Sequence, residues 1–233
     1  VAIGCRFADC SLIRLFETAD QSTSLFHEEL QETYHSKHGA FSESMHVFIE
    51  NGLRFLAPSS KPVRILEVGF GTGLNASLVY QEVFGNQSLK VNYTGLEPFP
   101  LPDEILAQVR FDGLDKDVFK KVHDAYNQPV ELAEGRFTCR VFKQGLEDFQ
   151  ADELFDLVFY DAFGPAVQPE LWGRDALAKT IAMMSPAAVW VSYCAKGEVR
   201  RILTSEGLKV SRLPGPAFKR HMLRAVKPQG ACE

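Results

Sequence analysis

Three acidic residues and three glycines carry the chemistry most readily read from this sequence. The segment Glu67-Val68-Gly69-Phe70-Gly71-Thr72-Gly73-Leu74-Asn75 directly follows a short apolar run. Glycines at alternate positions permit a tight turn and let a ligand come close to the backbone. A helix starting at Leu74 would add unpaired N–H groups at its N-terminus. The spacing is G-x-G-x-G. A dinucleotide fingerprint would need glycine where Leu74 stands, and a P-loop would need Gly-Lys-Ser/Thr. The first departure argues against NAD, and the second excludes a P-loop. Glu97 ends the next apolar run, where an acid can accept both hydroxyls of a ribose. Glu67 is poorly placed for a phosphate and suitably placed for a sulfonium or amino-acid group. Asp161, in Asp161-Ala162-Phe163-Gly164-Pro165, ends a further apolar run. A carboxylate there can accept hydrogen bonds from a substrate amine and help remove its proton, since only the neutral amine has a free lone pair. The plainer reading of Asp161 is a strand-end residue capping the next turn.

These residues need a scaffold that gathers strand ends. Apolar runs at Val63–Val68, Leu89–Leu96, Phe137–Phe142, Phe155–Tyr160, Ala188–Tyr193, Leu208–Leu213 and His221–Val226 read as strands. Helical patterns stand between them at Leu74–Phe84, Leu101–Val109, Asp117–Tyr126, Pro169–Met184 and Gly197–Ser205. Alternating strands and helices imply parallel βαβ units with helices on both faces. The link Pro214–Arg220 is too short for a parallel crossover, so the last strand should run reversed. The expected architecture is therefore α/β, a seven-stranded, mostly parallel sheet with a reversed last strand. Before it, Leu12–Phe16 is a candidate strand, Asp20–Ser24 a turn, and Phe41–Leu56 a helix stopped by Pro58. This divides the chain into an N-terminal extension, 1–58, and a ligand-binding domain, 59–233.

The composition fits such a domain: 233 residues, 45% hydrophobic and 24% charged, ordinary for a globular chain. No run approaches the roughly 20 apolar residues of a membrane span. The start of the chain shows no basic segment followed by an apolar one, which argues against a secretory signal; because it begins at Val1, a few residues are expected to be missing there. Five scattered cysteines (Cys5, Cys10, Cys139, Cys194, Cys232) with no Cys-x-x-Cys fit reduced thiols in a cytoplasm. His35, His38 and His46 have no cysteine nearby, so no metal site is expected. Net charge is −5, yet residues 196–227 hold nine Lys and Arg against two acids. That end could meet a polyanion, although a solvated charged surface is the simpler reading.

The glycine loop, its flanking strand, Glu97 and the reversed last strand together resemble the class I S-adenosylmethionine-dependent methyltransferases. The resemblance implies a Rossmann-like fold and S-adenosyl-L-methionine as cofactor, leaving as S-adenosylhomocysteine. Glu67, Gly69, Gly71, Thr72, Gly73 and Asn75 would then lie about the methionine part and Glu97 on the ribose. Gly145 and Leu146 would lie on the adenine side, though Gln144–Glu147 also reads as a plain β-to-α turn. Further segments narrow the likeness. Leu66–Asn75, Tyr160–Trp172, Lys219-Arg220-His221-Met222, and Glu17–Asp20 with Tyr34–Ala40 and Glu43–Phe48 are similar to the MnmC/MnmD-type tRNA methyltransferases, over roughly residues 15–227. Ala162, often glycine in that family, is a small departure that touches substrate contacts.

That resemblance implies methylation of the amine of 5-aminomethyl-(2-thio)uridine at the tRNA wobble position, giving the 5-methylaminomethyl form. Asp161 would be the catalytic residue, with Glu43 a second candidate for the amine. Tyr34, Ser36, Phe163, Lys219 and Arg220 would meet the substrate, and Tyr34–Glu43 would form a lid. The partner is the tRNA anticodon region. Bifunctional members carry a flavin-dependent oxidase domain; none is expected in these 233 residues, so a separate enzyme should supply the aminomethyl precursor. Phe163, Trp172 and Phe218 are candidate stacking platforms, although such aromatics are more often core. The alternatives are a class I N-methyltransferase acting on a small-molecule or protein amine, an aminopropyl transferase on the same sheet, and a catalytically silent nucleotide- or RNA-binding module.

Overall fold

The computed structural model describes residues 12–229; Cys5, Cys10 and Cys232 lie outside them. Strands β1 (Ile13–Glu17), β2 (Thr23–His27) and β3 (Glu32–Thr33) form a small antiparallel sheet. Helix α1 (Ala40–Ser44) then runs into a π-helical segment, Met45–Glu50, and a 3₁₀ turn, Leu53–Phe55. The single helix expected over Phe41–Leu56 is thus broken into three windings. The reason is local. Both the main-chain N–H of Asn51 and its side-chain amide donate to the carbonyl of His46, at 3.3 and 2.8 Å. The wide winding buries three consecutive residues, Val47, Phe48 and Ile49, which a narrow 3.6-residue stripe would not do.

The main unit follows as β4 (Val63–Val68), α2 (Leu74–Gly85), β5 (Val91–Leu96), α3 (Asp103–Leu106), α4 (Lys116–Asp124), β6 (Val130–Leu132), β7 (Phe137–Phe142), β8 (Phe155–Tyr160), α5 (Arg174–Ala182), β9 (Met184–Ser192), α6 (Gly197–Ser205), β10 (Lys209–Pro214) and β11 (His221–Val226). The sheet order is β10-β11-β9-β8-β4-β5-β7-β6. β9, β8, β4, β5 and β7 are parallel neighbours, and β11 is antiparallel to both β9 and β10. The reversed last strand is therefore present. The sheet has eight strands where seven were expected. The addition is β6, a three-residue edge strand antiparallel to β7, too short to leave a readable alternation in sequence.

The central strands are apolar because both faces of the sheet are covered. Along β4, Ile65 packs into the core on one face, while Leu66 and Val68 pack into the core on the other. Glu67 points into that first face with no exposed surface. A carboxylate there is costly unless hydrogen-bonded, and it is held by two donors described below. The chain leaves β4 toward β5 and β7 on one side, then returns to place β8 on the other. This reversal opens a crevice at the carboxyl ends of β4 and β8, where ligands bind in open α/β sheets.

Candidate active site

At that edge lies a cavity of about 620 Å³, within the usual size for a small-molecule site. Each central parallel strand delivers residues to it from its carboxyl end. β4 gives the glycine loop, β5 gives Glu97, β7 gives Gln144 to Glu147, β8 gives Asp161 to Gly164, and β9 gives Tyr193. The N-terminal segment closes the opposite wall with Tyr34, His35, Ser36 and Glu43, and Lys219 reaches in from the last hairpin.

The loop has φ of +89° at Gly69, +52° at Gly71 and +72° at Gly73, all left-handed, a region glycine enters without strain. At Gly69 space matters as well: a Cβ would stand 2.7 Å from the Asp161 carbonyl oxygen. The loop is pinned by Phe70, whose ring lies over Gly95, where a Cβ would come within 2.6 Å of it. Gly71 donates its N–H to Glu97 Oε2 and Phe99 donates to Oε1, each at 3.0 Å. Glu97 remains partly open to the cavity. Burial raises its pKa to about 7 against these two donors.

A chain of polar groups runs outward from the core. Tyr93 OH donates to Glu67 Oε2 at 2.8 Å. The Asn75 amide nitrogen donates to Glu67 Oε1 and to Asp161 Oδ2, each at 2.8 Å. Asn75 Oδ1 is buried and has no hydrogen-bond partner, because turning the amide to use it would aim an acceptor at two carboxylates. Asp161 opens on the cavity, and burial followed by the nearby Glu43 charge holds its pKa well above the usual carboxylate range, opposed by Asn75 and Lys219. Burial and then Asp161 do the same to Glu67. Glu43 is ion-paired with Lys219 through Oε1, leaving Oε2 buried and unpartnered. The Lys219 ammonium also lies 4.2 Å from the Tyr193 ring centroid.

The structure thus brings together Tyr34, Ser36, Glu43, Gly69, Gly71, Thr72, Asn75, Glu97, Gly145, Leu146, Asp161, Phe163 and Lys219 around one cavity. Three expected residues stand apart from its lining. Glu67 lies beneath the loop behind Asn75, Gly73 serves as the N-cap of α2, and Arg220 sits exposed on the hairpin. Among the aromatic candidates, Trp172 is core, donating its indole N–H to the Phe163 carbonyl at 2.7 Å. Phe163 lines the cavity, edge-on to Tyr34 at 5.0 Å. Phe218 is exposed.

Tyr193 and His35 are among the cavity residues that the sequence reading did not single out. Tyr193 donates its hydroxyl to the Ala162 carbonyl at 2.8 Å; its place just after β9 was the available signal. His35 bridges Thr72 Oγ1 and Ser24 Oγ, at 3.1 and 3.2 Å, joining the lid segment to the glycine loop. Burial lowers its pKa to about 4, partly offset by Asp20, so the ring is neutral at pH 7. Among the described residues no cluster of His, Cys, Asp and Glu could hold a metal ion, and no helix is long and apolar enough to cross a membrane.

The arrangement fits a nucleoside bearing a cationic group. It has a glycine loop that lets a ligand approach the backbone, an acid for hydroxyls on the neighbouring strand, and carboxylates at the far side. Comparison with known proteins agrees. Residues 113–228 match a family model of S-adenosyl-L-methionine-dependent methyltransferases. The tRNA 5-methylaminomethyl-2-thiouridine biosynthesis bifunctional protein MnmC of Pseudomonas fluorescens strain Pf-5 is 30% identical over 210 residues, 83% of this chain and 32% of that protein. The chain therefore spans about a third of the length of the curated relatives it matches. The crystal structure of MnmC2 from Aquifex aeolicus superposes with a TM-score of 0.79 at 28% identity, covering 95% of this chain and 73% of that one. Spermidine synthase from Thermotoga maritima, at 13% identity and a TM-score of 0.55 over 94% of this chain and 70% of its own, shares the fold alone.

Proposed function

Because the chain belongs to the S-adenosyl-L-methionine-dependent methyltransferases, we propose that it methylates the amine of 5-aminomethyl-(2-thio)uridine at the wobble position of tRNA. One observation carries this reading. The Asp161 and Glu43 carboxylates face the part of the cavity beneath a basic hairpin, an acidic receptor for an aminomethyl group under a rim suited to phosphate. The naming of its MnmC relatives for 5-methylaminomethyl-2-thiouridine biosynthesis supports it.

When bound, S-adenosylmethionine would supply the methyl group from its sulfonium sulfur, the C–S bond breaking to leave neutral S-adenosylhomocysteine as the amine nitrogen takes the methyl carbon. The protein's own work is alignment and proton handling. Gly69, Gly71 and Thr72 would line the methionine part, Glu97 would accept from the ribose hydroxyls, and Gly145 and Leu146 would lie along the adenine. Asp161 accepts an N–H of the substrate amine, aims its lone pair and receives the proton lost on methylation. Its raised pKa makes it a better proton acceptor than an exposed aspartate. Asn75 and Glu67 position it; Asn75 fixes the carboxylate, and Glu67 fixes Asn75. Residues 1–58 form an extension whose Tyr34–Glu43 segment lids the cofactor. The reaction would take place in the cytoplasm, with a separate enzyme supplying the aminomethyl precursor.

The test is transfer of labelled methyl from S-adenosylmethionine to bulk tRNA from cells lacking this protein, read by nucleoside mass spectrometry. Label in 5-methylaminomethyl-(2-thio)uridine is expected. Cofactor binding with no labelled tRNA nucleoside would overturn the reading in favour of a small-molecule or protein amine.

A further inference from the structure

The β10–β11 hairpin holds a phenylalanine in a position that folding alone does not reward. Phe218 is 80% exposed, and its φ of +66° places a bulky residue in the left-handed region, where such residues are rare and strained. Burial does not offset that strain. The loop is instead wound tightly around it, with the Gly215 N–H donating to the Arg220 carbonyl at 3.1 Å and the Lys219 N–H to that of Pro216 at 2.9 Å. It is moored at two points. Lys219 pairs with Glu43, and His46 Nε2 lies 3.0 Å from the Pro214 carbonyl oxygen.

The Phe218 ring lies nearly parallel to the imidazole of His38, with centroids 3.9 Å apart and planes 26° apart. Two segments distant in the chain, the lid and the hairpin, therefore build one stacked aromatic pair. Ser36 and Lys219, close to the pair in sequence, line the cavity, so the pair stands at its rim. Arg220, two residues from Phe218 in the chain, is exposed, while Lys37, next to His38 in the chain, holds its ammonium over the Phe26 ring, 5.9 Å from its centroid. An exposed stacked pair on a hairpin that also carries an exposed arginine suits single-stranded nucleic acid, with a base on the rings and a phosphate on the cation.

We propose that Phe218 and His38 form a stacking platform for the RNA base adjoining the one whose amine enters the cavity, with Arg220 on the intervening phosphate. This rests on the tRNA reading above. A base drawn into the cavity leaves its neighbour without a stacking partner, and the platform replaces it. The exposed Arg220 on the same hairpin turn favours RNA over an apolar protein segment as the occupant.

The experiment measures KM for tRNA and Kd for an anticodon stem-loop with wild type and the F218A, F218L and F218W variants, with cofactor affinity by calorimetry as the check on folding. Leucine keeps apolar bulk without a π face, and tryptophan keeps the face. Stacking predicts that F218A and F218L weaken RNA binding about tenfold, within the range for base–aromatic stacking, while F218W stays within about twofold. Unchanged RNA affinity in F218A and F218L would overturn the platform and leave the tRNA reading standing, because wild type still methylates. Weakening in F218A but not F218L would overturn it too, showing a general apolar contact. If wild type neither binds nor methylates tRNA, the functional reading fails and the platform fails with it. Should F218A lose cofactor binding through misfolding, the F218L and F218W pair decides.

Discussion

Replacing Glu97 by glutamine tests the cofactor site most directly, because the structure supplies both a contact and a titration. Each carboxylate oxygen already accepts one backbone N–H, from Gly71 and from Phe99. A glutamine must aim its NH₂ at one of those donors, so the variant loses that bond as well as charge-assisted bonds to the ribose. A hydrogen bond to a charged group contributes about 1.5–3 kcal/mol, so loss of one such bond to the ribose should lower cofactor affinity at pH 8 roughly 10- to 150-fold. The pH profile is the sharper observable. With a pKa of about 7 in the free site, Glu97 must lose a proton before it accepts from the ribose as a carboxylate. Wild-type affinity should therefore weaken about 30-fold between pH 8 and pH 5.5. Glu67 and Asp161 also titrate above the usual range, so the difference between wild type and E97Q isolates Glu97. Titration calorimetry with S-adenosylhomocysteine across that range is the assay. Parallel profiles for the two proteins would refute the assignment of Glu97. The same group sets a stability slope. Its folded pKa lies above the ordinary 4.5, so the ligand-free protein should lose stability as pH rises from about 4.5 to about 7, by at most about 3 kcal/mol. That slope should be reduced in E97Q.

Three further substitutions probe the other parts. D161N should lower kcat about 10²- to 10³-fold while changing cofactor affinity less than about threefold, a split that single-turnover kinetics and calorimetry would resolve. G69A must place a side chain at φ +89° and 2.7 Å from the Asp161 carbonyl oxygen. It should cost about 1–3 kcal/mol in denaturant unfolding and weaken cofactor binding at least tenfold; wild-type values for both would show that the loop has room the structure denies. R220Q should reduce the salt slope of log affinity for tRNA by about one. An unchanged slope would take Arg220 off the phosphate path.

The sequence by itself determined the frame and the acids at its edge. Strong apolar runs between helical patterns leave little choice of fold class, and Pro214–Arg220 is too short to return the last strand parallel. Because loops after parallel strands emerge at one edge, naming the run that precedes Glu97 or Asp161 already places the residue near the ligand. Tertiary structure decided what depends on approach between distant segments. Helical spacing could not foretell the π-helical winding at Met45–Glu50, since it arises where the Asn51 side chain competes for a main-chain carbonyl. Nor could it show that Asn75 bridges Glu67 and Asp161, because that amide meets both carboxylates only once the first turn of α2 packs against the neighbouring strands β4 and β8. His35 enters the site from the N-terminal segment through a contact with Thr72 that no local pattern records. Trp172 and Phe218 look alike as sequence, yet one is core and the other stands in solvent against His38. Local patterning fixes the central strands and the sheet edge because each depends on a few neighbouring residues. Partner choice and exposure depend on how all the elements pack, and only the folded chain supplies that.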